Sequence, residues 1–168
     1  MSSGGHLVDA EPGDRPRPRI VVAGLGSEYR RDDGAGPVIA ARVAVEASAT
    51  RDIGPIVDPL DLLGRWDGAD LAVVIDALRS GSVPGTVRVV DLTADRARTG
   101  TTSTHGISLS GVLHLAHAID QAPERVIVVG VEGTDFGKGT GFSPAVDAAI
   151  PKAVGVVVDL IREVYACA

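Results

Sequence analysis

Three aliphatic runs limit the folds open to this chain: "IVVA" (Ile20–Ala23), "LAVVID" (Leu71–Asp76) and "VIVVGV" (Val126–Val131). Each is rich in β-branched residues and none alternates apolar with polar. They read as strands covered on both faces, not as strands with one wet side. The expected strands are Arg19–Gly24, Asp70–Leu78 and Glu124–Val131, with a shorter one at Gly54–Pro59 and another after the Pro84-Gly85 turn within Ser82–Asp91. Helical patterns lie between and after them. Gly36–Ser48 has Pro37 in its first turn, where a missing N–H costs little, and Leu60–Trp66 is a short helix. Ile107–Asp120 is amphipathic, with Val112, Ala116 and Ile119 marking its buried stripe. A last helix runs from Ser143 to about Tyr165, with Ser143-Pro144 as N-cap and first residue, and Pro151 is expected to kink or divide it. This β–α alternation predicts an α/β fold: a three-layer α/β/α sandwich on a twisted, mostly parallel central sheet of about five strands. Residues 1–17, rich in Gly, Pro and charge, read as a disordered tail, and 18–168 as a single hydrolase-like α/β domain.

Composition narrows the function. Aromatic residues make up only 3% of the 168, so the core must be built from Val, Ile, Leu and Ala. No apolar stretch has the length of a membrane span, and the N-terminus has no apolar signal region. The single cysteine, Cys167, excludes an internal disulfide framework and a CxxC metal site. A net charge of −6 argues against a nucleic-acid partner. The expectation is a soluble cytoplasmic protein that binds neither nucleic acid nor membrane.

In open α/β sheets ligands gather at the carboxyl ends of strands. Three features fall there: the loop "GLGSEYRRDDGAG" (Gly24–Gly36), Asp76, and the Gly-rich loop Glu132–Phe142. The first loop is not a dinucleotide fingerprint, because GxGxxG needs a glycine where Tyr29 stands, and no GxxxxGK[ST] is present. Asp32 and Asp33 admit two readings, a capped helix start or a carboxylate turned into the cleft; capping needs only one of them. Asp76 follows four apolar residues and must be solvated, hydrogen-bonded or bound to a cation. His105 stands in the long polar loop Leu92–Gly106, before a helix, and is either solvated or able to reach the strand ends. His114 and His117, in "HLAH", read as surface residues of the helix itself. Two carboxylates and an imidazole suit a borderline divalent ion and leave coordination positions open. No HExxH or GxSxG is present, so neither a self-sufficient zinc protease nor a serine triad can be assembled.

"VVAGLGSEYRRDDGAGP", "VVIDAL", "THG" before a helix and "GVEGTDFGKGTGFSPAV" together resemble, in order, the blocks of the [NiFe]-hydrogenase maturation endopeptidases. The resemblance covers most of Ile20 to Val164. It implies an endopeptidase that removes the C-terminal extension of the [NiFe]-hydrogenase large-subunit precursor once nickel is in place. The metal is then the precursor's own nickel, and by motif position its ligands, which are also the catalytic set, are Asp33, Asp76 and His105. Asp32 becomes the structural acid at the helix start, while Gly34 and Gly36 leave room for a bulky substrate. Ser27 stands where the family usually has Asn, and "VDPLDLLGRWDG" is shorter than the family's Gly-rich acidic stretch. Peptidyl-tRNA hydrolase also begins with a strand and "GLGN", but it needs a histidine where this chain has Arg30, Arg31, Asp32 and Asp33. An alternative from another class is a non-catalytic nickel-sensing or assembly-checkpoint protein that uses the same three residues.

Overall fold

The computed structural model describes residues 17–48, 50–94 and 108–167. The aliphatic runs form the centre of the sheet: β1 (Ile20–Leu25), β3 (Leu71–Leu78) and β5 (Arg125–Glu132). With β2 (Arg51–Ile56) and β4 (Val87–Asp91) they make one five-stranded sheet in the order β2-β1-β3-β5-β4. The first four are parallel; β4 runs antiparallel along β5. The three-layer, mostly parallel expectation is met.

Alternate side chains feed two cores. Ile20 and Val22 of β1, Leu71, Val73 and Ile75 of β3, and Ile127, Val129 and Val131 of β5 face α1 (Ala35–Glu46) and α3 (Pro144–Cys167). The opposite parity, Val21, Ala23, Ala72, Val74 and Val126, packs on α2 (Leu109–Ala118), Leu62 and Trp66. A strand that buries both parities must be apolar throughout, which is why these runs do not alternate.

Several boundaries differ from the sequence expectations. β2 starts earlier, at Arg51, because only Ile53 and Ile56 of this edge strand are buried and its polar start carries no strand signal. The Leu60–Trp66 helix is only a 3-10 turn, Pro59–Leu62, whose first backbone N–H donors are met by Asp58. Ile119 is not part of the stripe on α2: it lies past the last turn and is 47% exposed, while Leu113 is buried. Pro151 does not divide the last helix; α3 runs as one element from Pro144 to Cys167. Buried residues on both sides of the proline, from Val146 to Ile161, keep the same face on the sheet, and that burial offsets the lost hydrogen bond. Among the described residues no helix is long and apolar enough to cross a membrane.

Candidate active site at the carboxyl ends of β1 and β3

The glycines of the first loop permit close backbone packing. A Cβ on Gly36 would collide with the carbonyl oxygens of Leu25 and Ile75, so the start of α1 sits directly on the ends of β1 and β3. Gly26 has φ 118°, and a Cβ there would strike the Asp33 carbonyl. Gly34 and Gly36 are both buried. They therefore do not leave room for a substrate, as the sequence reading expected; they bring the Asp32-Asp33 turn down onto the strand ends.

That turn, a 3-10 segment at Arg31–Gly34, separates the two acids. Asp32 is fully buried. One carboxylate oxygen accepts from the Thr134 and Asp135 N–H groups and the Ser143 hydroxyl, each at 2.9 Å, and the other accepts from the Ser143 N–H at 2.6 Å. Burial alone would raise its pKa, but these charge-assisted bonds outweigh it and hold the group below the ordinary carboxylate value. Asp32 is thus structural, as expected, but not as a helix cap. The α1 N-cap is Gly34 without any side-chain bond, and Asp32 instead ties the turn to the loop after β5 and the start of α3. Ser143 in turn directs its hydroxyl at Asp32.

Asp33 lies in a wetter place. Its carboxylate accepts the Ser27 N–H at 2.9 Å and has the Arg30 guanidinium at 4.0 Å. The backbone of Ser27 makes this bond, so the change from the family's asparagine leaves the support of Asp33 intact. Asp76, in register with Gly130 of β5, has the same parity as Ala72 and Val74 and so belongs to the α2 side of the sheet. Burial pushes its pKa up to about 7, the negative charge of Asp33 adds to the rise, and a bond from the Ala77 backbone opposes it. The charge of Asp33, carried on a different element, thus reaches Asp76 at the strand end.

His105 lies outside the described residues. His114 and His117 are exposed on α2, as expected. Among the described residues no three metal-ligating side chains gather.

One buried acid escaped the sequence reading. Glu132, at the end of β5, accepts the N–H groups of Ser80, Gly81 and Ser82 at 2.7, 2.8 and 3.2 Å, and the Ser80 hydroxyl at 2.7 Å. Burial opposes its ionisation, yet these bonds keep its pKa low. The available signal was its place: like Asp76, it is an acid ending a β-branched run. Glu132 holds the loop after β3 as Asp32 holds the loop after β5. Arg31 pairs with Asp135 at 3.4 Å, and Arg79 lies over the Phe136 ring, 4.6 Å from its centroid. The strand-end loops around Asp33 and Asp76 are therefore cross-braced.

Comparisons with known proteins agree with this architecture. A family model described as hydrogenase maturation protease matches residues 57–160. The hydrogenase expression/formation protein HupD of Rhizobium leguminosarum bv. viciae is 31% identical over 157 residues, which cover 89% of this chain and 77% of that protein. The hydrogenase 2 maturation protease of Escherichia coli K12 is 30% identical over 155 residues, 86% of this chain and 92% of the relative. Among solved structures, the hydrogenase maturating endopeptidase HybD from E. coli superposes with a TM-score of 0.73 at 25% identity, covering 86% of this chain and 93% of that one. The [NiFe] hydrogenase maturation protease HybD from Thermococcus kodakarensis gives a TM-score of 0.66 at 26% identity, over 84% and 98%. With the fold, the braced strand ends and two relatives matched over most of their length, this chain belongs to the hydrogenase maturation proteases.

Proposed function

We propose that the protein is an endopeptidase that removes the C-terminal extension of a nickel-loaded [NiFe]-hydrogenase large-subunit precursor, in the cytoplasm, and that Asp33, Asp76 and His105 bind the nickel the precursor brings. The observation that carries this reading is that Asp76 lies within the field of Asp33: burial raises the Asp76 pKa most, and repulsion from the Asp33 charge adds to the rise. A divalent cation placed between them would relieve that repulsion. His105 enters the set through the family resemblance. It lies three residues before Ser108, whose side chain caps α2 by accepting the Gly111 N–H at 3.2 Å. Helix α2 returns the chain to the amino end of β5, so its first turn starts from the carboxyl-end side of the sheet, the side toward which Asp76 lies on β3.

Nickel is part of the substrate in this reading, so the protein needs no complete metal cage of its own. Two oxygens and one nitrogen leave positions open for groups of the precursor. An ion held there polarises the scissile carbonyl or makes a bound water more acidic, and either role speeds hydrolysis. A precursor without nickel would present no charge to the paired carboxylates and would stay uncut.

The test is made in the parent organism. Asp33→Ala should leave the large subunit at its longer precursor mass, measured on the intact protein. A mature-length subunit in that strain would overturn the proposal.

A further inference from the structure

The two edges of the sheet are built differently. At the β2 edge, Pro55 has no N–H, Gly54 has φ 82°, and the register with β1 shifts between Val22 and Gly24. Such features keep an edge from recruiting another strand. β4 has none of them. Its pairing with β5 is regular from Val87↔Val131 to Asp91↔Ile127. The Leu92 N–H donates to the Val126 carbonyl at 2.9 Å, so Arg88 and Val90 turn their backbone groups to β5. Val87, Val89 and Asp91 then present N–H and C=O to the open side, where no other described strand pairs. The one basic side chain on the strand, Arg88, is drawn aside to the Ser82 hydroxyl at 2.5 Å and does not guard the edge. Val89 and Val90, on opposite faces, are 48% and 40% exposed.

This open edge is continuous with the site. Asp76 is in register with Gly130, and Gly130 with Arg88, so the three lie in one row across the sheet. The edge is two strand spacings, about 10 Å, from Asp76. A strand added to β4 would run about 15 Å away, a distance crossed by about five extended residues.

We infer that the β4 edge binds the precursor's C-terminal extension as an added β-strand, paired through the backbone of Val87, Val89 and Asp91. The inference rests on the function proposed above, because its occupant is the tail of that substrate. Strand addition takes affinity from main-chain hydrogen bonds and selects side chains only at alternate positions. The tail is therefore an extended segment with an apolar residue set against Val89 or Val90. Held this way, it keeps the bond to be cut close to Asp33 and Asp76 and is released once that bond is broken.

Val89→Pro tests this, since it removes an N–H that β5 does not use, and proline is tolerated at such edge positions. The KM for the precursor should rise about fivefold or more, with kcat within about twofold and the melting midpoint little changed. In parallel, a synthetic peptide of the extension, added to the full-length wild-type protein, should slow amide hydrogen exchange at Val87, Val89 and Asp91. An unchanged KM in a folded Val89→Pro variant overturns the inference. So does protection of those amides in the free protein, which would assign the edge to this chain's own residues or, where protection varies with protein concentration, to a second copy. If Val89→Pro does not fold, the exchange experiment decides alone. If Asp33→Ala blocks processing while Val89→Pro does not alter KM, strand addition fails and the proposed function stands; if Asp33→Ala is processed normally, the proposed function itself fails.

Discussion

Asp32 and Asp33 are adjacent carboxylates, and their surroundings divide the work between them. Removing the buried one should be costly. Asp32→Ala would leave the N–H groups of Thr134, Asp135 and Ser143 and the Ser143 hydroxyl without an acceptor inside the protein. We expect a loss of about 3 kcal/mol or more, read as a shift of the urea midpoint. Asp33→Ala gives up the bond from the Ser27 N–H, about 1 kcal/mol, and a half-exposed pairing with Arg30 at 4.0 Å that adds little, so its loss of processing should occur in a folded protein. A melting curve for each variant separates the two roles. Asp91 supplies a pH test away from the Asp33 and Asp76 carboxylates. Burial works against its ionisation, but Thr93, Arg125 and Ala94 bind the carboxylate and hold its pKa at about 2, below the ordinary 3.8. Its stabilisation is therefore complete above about pH 4 and is lost as pH falls through about 2. The stability gap between wild type and Asp91→Asn should accordingly be constant near neutrality and close between about pH 4 and 2, measured by denaturant midpoints.

Helix α3 shows how an element is held by its neighbours against its own local preferences. It carries Pro151 in its interior and Gly155 one turn later, two residues that weaken helices. It persists because eight residues from Val146 to Ile161 are buried on one face. Gly155 is exposed, and a Cβ added there meets nothing within 4 Å. Gly155→Ala should therefore stabilise the protein by about 0.5–1 kcal/mol, visible as a higher urea midpoint with unchanged activity. The same balance explains which elements could be read in advance. β1, β3 and β5 bury both faces and were legible from composition alone, because double burial demands an unbroken apolar run. β2 and Ile119 were misjudged because edges and helix ends are only partly covered, and partial cover leaves a weak periodic signal.

Across the whole molecule, residues distant in sequence meet at the carboxyl edge of the sheet. Asp76 stood out as a carboxylate closing an apolar run, and Asp32 and Asp33 as a pair beside a glycine-bracketed turn, from neighbours a few residues away; the choice of Asp33 within the pair came from the family resemblance. The strand–helix alternation was legible from near neighbours too, since strand propensity and hydrophobic period are local properties that need no partner. Other features follow only from contacts across the fold. Asp32 became the buried acid because its donors come from Thr134, Asp135 and Ser143, about a hundred residues further along the chain. Glu132 became a brace because the loop at Ser80–Ser82 presents three N–H groups to it. β4 became an antiparallel edge strand beside β5, its outer side unpaired among the described residues, in the same row as Asp76, through its pairing order, which no window of sequence contains. Burial and hydrogen bonding depend on which distant segments supply the cover and the donors, and those are chosen only when the layers close on the sheet.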